Sequence, residues 1–297
     1  MFNFLKGKKT EITFTFDRAT PVYVPGDTVG ITVQIEPDKD MKLQGARFRL
    51  TGTELYCYTT EETRQDSDGK WETHQVDRWV QNEFFIGEEV FLRETILPNG
   101  KPQQYTFQYT LPLECLPSVK GEILKVEWKA SVKLDRKLAG DIQEEAPLTV
   151  IWPAPGVDVQ PGNYGQSSEP YEADMNFILP GLEAVLNQPY GGQLRVLPHK
   201  NFDASEVRLE LVHYENVPYD KGNHVEKVDK VILAKGAKFE AGKEQVFLFQ
   251  APFLADAPPS LETENGTLTW TLKGVLARRL RKDTLVEQSI LLYPIRG

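Results

Sequence analysis

Hydrophobic and polar residues alternate along most of the chain, with apolar side chains at every second position. Ile12, Phe14 and Phe16 lie on one side of the segment EITFTFDR, and Trp128 and Val132 lie on one side of VEWKASVKLDR. Successive side chains of a strand point to opposite faces, so this period of two predicts strands that bury one face. The 20 prolines and 22 glycines punctuate the apolar runs and favour an all-β chain.

The second half of the chain repeats landmarks of the first half in the same order. ARFRLTGTE is followed by VRLELVHYE, YTFQYTLP by QVFLFQAP, and VEWKASVKLDR by LTWTLKGVLAR. The spacing is 140 residues from Phe107 to Phe247 and 142 from Trp128 to Trp270. A nearly constant spacing indicates a duplicated domain. We therefore predict that Phe107 and Phe247 occupy equivalent strands, and that Trp128 and Trp270 occupy the equivalent strands that follow.

A segment rich in proline and glycine separates the two copies. It covers residues 152–170, so the predicted domains are an N-terminal β-sandwich at 1–151 and a C-terminal β-sandwich at 171–297. Two antiparallel sheets bury their inner faces by packing together, which predicts two tandem sandwiches of immunoglobulin-like type. Short helices are expected only near Phe2–Lys6 and Gly181–Leu186.

Several phrases of the first copy are similar to one known family. YVPGDTVGITVQI, GARFRLTGTELY, LPNGKPQQYTFQYTLPLECLPS and VEWKASVKLDR together resemble the N-terminal domain of arrestins. The resemblance covers residues 10–150 well and 180–294 loosely. The compact loops are most similar to bacterial arrestin-like proteins of the sporulation-control type and to the retromer subunit with the same fold. The resemblance implies two arrestin-like sandwiches in a non-enzymatic adaptor that binds protein partners through its surfaces.

The resemblance carries no functional residue onto this chain. Pro258-Pro259-Ser260-Leu261 lacks the tyrosine of the ligase-recruiting motif of trafficking members, and no buried phosphate-sensing charge cluster can be placed from the sequence. Two alternatives stay open. One is a ligand- or carbohydrate-binding β-sandwich module, which aromatic side chains exposed on a sheet face would favour. The other is an enzyme, which needs a polar cluster that the sequence does not reveal.

The charge and the cysteine content indicate which partners and which cellular compartment to expect. The net charge is −9, with −5 in residues 1–150 and −4 in 151–297. Nucleic-acid binding needs clustered lysine and arginine, so it is not expected of either half. Cys57 and Cys115 are too few for a disulfide scaffold and are interpreted as half-buried reduced thiols, with a disulfide as the alternative. No apolar run is long enough to span a bilayer or form a secretory signal, so we expect a cytoplasmic protein.

Catalytic and metal-binding motifs are not found in the sequence. His74, His199, His213 and His224 lack partners at the spacing of metal ligands, and no glycine loop of the phosphate-cradling type occurs. We therefore predict no catalytic residue, no cofactor and no bound metal.

The segment ARRLRKD is the first candidate site for a partner. It places Arg278, Arg279, Arg281 and Lys282 around Leu280, in the turn between two predicted strands. Arginine forks bind phosphate and carboxylate groups with two hydrogen bonds, so an exposed turn of this kind could hold an acidic partner group. The alternative is a solvated turn whose cations balance nearby acids.

The second candidate is the N-terminal arm MFNFLKGKK. Phe2, Phe4 and Leu5 are followed by Lys6, Lys8 and Lys9. An apolar segment next to lysines could contact an anionic membrane surface or a partner, which would make the protein peripheral at the membrane. The alternative is an arm that packs on the first sandwich before the strand at Glu11.

Overall fold

The computed structural model confirms an all-β chain. It describes residues 10–65, 67–137, 139–154, 161–168, 172–218, 223–251, 253–254 and 256–296. Strands, turns and loops account for all of these residues, and none of them is helical. The predicted helix at Gly181–Leu186 is wrong, because this segment contains a short strand at Glu183–Val185. The other predicted helix, at Phe2–Lys6, lies outside the described residues.

Ten strands of the described chain form the first sandwich. They are β1 (Glu11–Phe16), β2 (Val22–Tyr23), β3 (Thr28–Glu36), β4 (Met41–Gln65), β5 (Trp71–Leu92), β6 (Thr95–Leu97), β7 (Gln103–Thr110), β8 (Val119–Lys120), β9 (Leu124–Arg136) and β10 (Ile142–Val150). The smaller sheet has the order β1-β3-β7. The larger sheet has the order β2-β10-β9-β4-β5, with β6 beside β4 and β8 beside β9. The tip between β4 and β5 contains Gly69 with a φ of +80°, a left-handed conformation that glycine adopts readily in tight turns.

Twelve further strands of the described chain form the second sandwich and its margins. They are β11 (Pro153–Ala154), β12 (Gly162–Tyr164), β13 (Ala173–Leu179), β14 (Glu183–Val185), β15 (Gly191–Pro198), β16 (Phe202–Val217), β17 (Asn223–Phe239), β18 (Gln245–Gln250), β19 (Leu261–Glu262), β20 (Thr267–Ala277), β21 (Thr284–Tyr293) and β22 (Ile295–Arg296). One sheet is β12-β13-β15-β18 and the other is β14-β21-β20-β16-β17, with β19 beside β20. The segment predicted as a linker thus contributes β11, which pairs with β22, and β12, which pairs with β13.

The strand order repeats between the two sandwiches, which confirms the predicted duplication. Phe107 lies on β7, the edge strand beside β3, and Phe247 lies on β18, the edge strand beside β15. Trp128 lies on β9 between β4 and β10, and Trp270 lies on β20 between β16 and β21. The short parallel pairing of β2 with β10 also recurs, as β14 with β21.

Each sandwich has a Pro-Ser dipeptide after its aromatic strand, Pro117-Ser118 in the first and Pro259-Ser260 in the second, and both serines make the same hydrogen bonds at the end of the sandwich. Ser118 donates its N–H to the carbonyl of Val150 at 2.6 Å, and its hydroxyl accepts the N–H of Val150 at 3.0 Å. Ser260 and Leu292 make the same two bonds at 2.9 and 3.0 Å. We call each of these pairs a serine bracket. Both brackets join residues that are 32 positions apart. The Pro-Ser dipeptide therefore recurs because the same pair of hydrogen bonds joins the chain at the end of each sandwich.

Both cores are built from the inward-facing residues of the alternating pattern. In the first sandwich, Phe48 of β4 stacks on Phe107 of β7 with the ring centroids 4.1 Å apart, which joins the two sheets. In the second, Phe239 of β17 faces Phe247 of β18 at 6.3 Å. Trp128 and Trp270 donate their indole N–H groups to the carbonyls of Leu116 and Pro258, each at 2.9 Å. A buried indole N–H needs such a partner, so these bonds let a large ring enter each core.

The contacts divide the chain into two compact units whose boundaries differ from a simple cut in sequence. The first unit comprises residues 1–55, 81–118 and 125–151, and the second comprises 56–80, 119–124 and 152–297. Segment 119–124 therefore belongs to the compact unit that contains the second sandwich.

A fully buried carboxylate holds segment 119–124 in the second unit. Glu215 of β16 has no exposed surface, and its two oxygens accept the N–H groups of Glu122, Ile123 and Leu124 at 2.8, 2.9 and 3.3 Å. A Cβ on Gly121 would lie 2.6 Å from Glu215 Oε2, so only glycine leaves room for this contact. An ionised carboxylate is stable in a protein interior only when such donors replace its water.

A buried histidine lies next to this carboxylate. The ring of His213 stacks on Trp270 with centroids 4.7 Å apart, and its Nε2 is 3.4 Å from Glu215 Oε1. Burial lowers the pKa of His213 below its ordinary value. Glu215 and Glu122 oppose this shift, while Lys227, which forms an ion pair with Glu122, adds to it.

Two further findings concern the cysteines and the membrane. Cys57 and Cys115 are not joined in a disulfide, as interpreted from the sequence, but both are buried and not half-buried, and burial raises the pKa of Cys115 to about 11. The described chain contains no helix with the length and apolar character needed to cross a bilayer.

The first prediction concerns Gly52 of β4. A Cβ at this position would lie 2.7 Å from two ring atoms of Phe84 and 2.9 Å from Trp128, and rigid rings cannot withdraw as a flexible side chain can. We expect Gly52→Ala to lower the free energy of unfolding by about 1–3 kcal/mol, as overpacking does. Gly140→Ala is the control, because a Cβ there meets no atom within 4 Å; it should stay within about 0.5 kcal/mol of the wild type. Equal denaturant midpoints for Gly52→Ala and wild type would refute the packing argument.

The second prediction concerns the acid sensitivity of His213. Its pKa is lower in the folded state than in the unfolded chain, so the unfolded chain takes up the proton first as the pH falls below about 6.5. The stability that His213 contributes at neutral pH is therefore lost as the pH falls toward the folded-state pKa. His213→Phe keeps a ring on Trp270 and removes the titration. We expect a smaller drop in Tm from pH 7 to pH 5 for this variant than for wild type. His74→Gln controls for the loss of a histidine as such, and an unchanged drop in His213→Phe would contradict the assignment.

Candidate functional site

The candidate site is built around the turn between β20 and β21, where the sequence predicted a basic patch. Arg278 follows directly after β20, and its backbone N–H donates to Asp283 Oδ1 at 2.9 Å, which closes the turn. Leu280 at the tip has a φ of +61° and a side chain that is 97% exposed. Arg279 and Lys282 are also exposed. The turn therefore projects its central residues into solvent while its first residue faces the sandwich.

Arg278 is a buried residue of this site. Its side chain is only 8% exposed and forms an ion pair with the equally buried Glu172. Its guanidinium also lies over the ring of Phe202, 4.5 Å from the centroid, and Phe202 stacks on Phe239. Burial, and to a lesser degree the charge of Arg281, lowers the pKa of Arg278, but an arginine keeps its proton near neutral pH. The expectation of an unpaired, exposed patch is therefore wrong for Arg278.

Two further cations reach the same carboxylate. Lys200 Nζ lies 3.1 Å and Arg281 Nη1 lies 3.8 Å from Glu172 Oε1. Their side chains are 58% and 66% exposed, in contrast to Arg278. We call Glu172, Lys200, Arg278 and Arg281 the basic corner. Three positive charges face one negative charge there, so two of them are left without compensation by Glu172.

The four cations of the predicted basic turn have two different environments in the structure. Arg278 and Arg281 belong to the basic corner, whereas no contact with Glu172 is seen for Arg279 or Lys282 within the described residues. Sequence reasoning missed Glu172 and Lys200. Glu172 lies just before β13 and Lys200 lies between β15 and β16, so both are remote from the turn in sequence. The N-terminal arm with Phe2, Phe4, Leu5, Lys6, Lys8 and Lys9 lies outside the described residues.

The chemistry available at the basic corner is anion binding. Arg281 and Lys200 are exposed donors that lie within 4 Å of a buried acid, which a buried guanidinium also contacts. A carboxylate or phosphate oxygen is the group that such donors bind best. Across the described residues, no group of three or more histidine, cysteine or acidic side chains is arranged to hold a metal ion.

One comparison with known proteins gives a match. Residues 12–155 match the family model described as the arrestin (or S-antigen) N-terminal domain, a span that runs from β1 to the region of β11. No curated protein matches the chain.

The third prediction tests the buried ion pair. Glu172→Gln leaves the buried guanidinium of Arg278 without its counter-charge, and we expect the free energy of unfolding to fall by about 3–5 kcal/mol. Asp174→Asn is the matched control, since Asp174 pairs with His199 at 3.1 Å on the surface; it should change stability by less than about 1 kcal/mol. The double variant Glu172→Leu/Arg278→Met removes both charges and should recover most of the loss. Denaturant unfolding that shows Glu172→Gln as stable as Asp174→Asn would disprove the pairing.

Proposed function

Because the chain belongs to the arrestin-like superfamily, we propose that it is a non-enzymatic adaptor or scaffold that binds protein partners through the surfaces of its sandwiches. Within that superfamily we propose the bacterial sporulation-control type, given the compact turns that join its strands. The proposed compartment is the cytoplasm, where the protein would be free or peripheral at the membrane.

The observation that carries the proposal is the basic corner itself, where three cations lie around the one buried carboxylate of Glu172. The chain as a whole has a net charge of −9, so a local excess of cations is distinct from its general surface. Arg278 and Glu172 form the buried base of this corner, and Lys200 and Arg281 are the exposed residues that a partner can reach. The buried pair gives the corner a fixed base, beside which the two exposed cations are available to a partner.

The partner group that fits is an acidic side chain or a phosphorylated residue of another protein. Such a contact lies in solvent and is screened over about 8–10 Å at physiological ionic strength, so binding should weaken as salt is added. Nucleic acid is not the proposed partner, because both halves of the chain are acidic.

The carbohydrate-binding alternative has less support. Phe48, Phe107 and Trp128 pack inside the first sandwich, where they cannot stack on a sugar. Trp71 and Trp79 of β5 are the described tryptophans with half or more of their surface exposed, and they are the aromatic side chains that this alternative would use.

The fourth prediction tests the basic corner with two charge-reversed variants. Arg281→Glu/Lys200→Glu alters the corner, and Arg279→Glu/Lys282→Glu alters the rest of the turn by the same change in net charge. We expect the first variant to lose protein partners in a pull-down from the native cell, read by mass spectrometry, and the second to retain them. Tm values should confirm that both variants fold.

The outcomes separate three cases. Partners lost only with Arg279→Glu/Lys282→Glu would move the contact to the exposed tip of the turn. Partners kept by both variants would show that the turn is merely solvated. Partners kept by wild type in high salt would count against an exposed ionic contact.

A further inference from the structure

A polar groove lies on the outer face of the larger sheet of the first sandwich. Its volume is about 290 Å³, and it is formed by strands β4, β5, β9 and β10. Its walls include Arg47, Arg49, Glu83, Lys129, Lys133 and Glu145. Ten residues line it, and none of them is aromatic or aliphatic. The lining therefore suits a polar ligand and offers no surface for an apolar one.

The floor of the groove contains a buried hydroxyl without a partner. Thr51 of β4 is 2% exposed, and its Oγ1 makes no hydrogen bond within the described part of the protein. Buried polar atoms are nearly always hydrogen-bonded, and an unsatisfied one is costly. Ser131 of β9, which is 9% exposed, also lines this floor.

Most charged side chains of the groove are paired with each other, and the groups that remain for a ligand are hydrogen-bond donors. Arg49 pairs with Glu83 at 3.1 Å and with Glu88 at 3.2 Å, and Lys129 pairs with Glu145 at 2.9 Å. Arg47 pairs with Glu88 through Nη1 at 3.3 Å, but its Nε is buried without a hydrogen bond. Within the described residues, the groups of the groove without a hydrogen bond are thus the Thr51 hydroxyl and the Nε–H groups of Arg47 and Arg49, of which Arg49 Nε lies 3.2 Å from Glu88 Oε2. The Thr51 hydroxyl and the Arg47 Nε–H can donate to an oxygen of a ligand.

The equivalent positions of the second sandwich do not carry unused donors. Arg208 and Val212 of β16 occupy the positions that match Arg47 and Thr51 in the aligned segments VRLELVHYE and ARFRLTGTE. Arg208 is paired with Glu206, Glu210 and Asp283, at 3.5, 2.7 and 3.6 Å. Val212 has no hydroxyl to satisfy. Unused donors at these two positions are therefore found in the first sandwich and not in the second.

We propose that this groove is a binding site for a small organic anion of the carboxylate or phosphate class. The four cations of the lining are already paired with acids, so the choice of ligand rests on the groups without a hydrogen bond, which are donors and favour a ligand with oxygen acceptors. The volume corresponds to about ten water molecules and lies at the lower limit for ligand pockets, which fits a small acid. The Thr51 hydroxyl and the Arg47 Nε–H donate to oxygens of the ligand. Lys129 and Lys133 also line the groove, but their ammonium groups are paired with Glu145 and with Asp135 and Asp141. The site lies in the first compact unit and does not rest on the adaptor proposal, which concerns the second.

The fifth prediction uses citrate and inorganic phosphate as probes, with the full chain at constant ionic strength. We expect saturable binding of at least one probe in calorimetry and a matching rise in Tm. Thr51→Val removes the hydroxyl at nearly constant volume. It should raise Tm without ligand, because the unsatisfied group is gone, and should weaken binding of the probe about five-fold, as the loss of one hydrogen bond does. Arg47→Gln is a second variant, in which affinity should fall further.

Two controls separate this site from other effects. Thr106→Val removes an exposed hydroxyl of β7, outside the groove, and should leave the affinity unchanged. Arg281→Glu/Lys200→Glu should also bind the probe as wild type does, so failure of the adaptor proposal and failure of this one are distinguishable. The absence of saturable binding of both probes would overturn the proposal. Wild-type affinity of the probe in both Thr51→Val and Arg47→Gln would overturn the proposal as well. The affinities for citrate and phosphate should differ if the site prefers carboxylates or phosphates.

Discussion

The capture of three backbone N–H groups by Glu215 is the contact on which the second unit depends. A carboxylate with no exposed surface is tolerated only because Glu122, Ile123 and Leu124 supply the donors that water would otherwise give. The contact fixes glycine at position 121 and holds segment 119–124 against β16. Three further contacts surround this acid. They are the pairing of β16 with β20, the stack of His213 on Trp270 and the ion pair of Lys227 with Glu122.

The two polar regions described here use buried charge in different ways. In the basic corner, Arg278 and Glu172 neutralise each other inside the protein, and the exposed side chains of Lys200 and Arg281 lie beside the same carboxylate. In the groove of the first sandwich, the ion pairs lie on the walls and the unsatisfied groups lie on the floor. The first arrangement suits a large partner that covers a surface, and the second suits a small ligand that enters it.

The strands and their repetition could be predicted from sequence because burial on one face imposes a period of two on every strand. Phe107 and Trp128 belong to runs in which apolar and polar residues alternate, and Phe247 and Trp270 belong to the corresponding runs of the second copy. The segment Gly181–Leu186 was misread because a three-residue strand is too short to show any period, and the pairing of β14 with β21 is what makes it a strand.

The candidate sites were accessible to sequence reasoning only in part. The turn with Arg278 and Arg281 is a visible run of cations. Glu172 and Lys200 approach it only after β13, β15 and β20 are placed, so no local pattern could indicate them. Thr51 is one threonine among many until its burial and lack of a partner are known.

The two serine brackets also bear on how the chain reaches its fold. Each one joins residues 32 positions apart, and the intervening strands of its sheet must be in place before the bonds can form. The pairing of β3 with β7 spans a still longer stretch, since Thr28 lies opposite Thr110. Closing such loops costs chain entropy before any contact repays it, and β-sandwiches accordingly fold slowly. A polypeptide that leaves the ribosome from its N-terminus can close the Ser118 bracket while the residues of the Ser260 bracket are still being synthesised, so duplication allows the two folding problems to be solved one after the other.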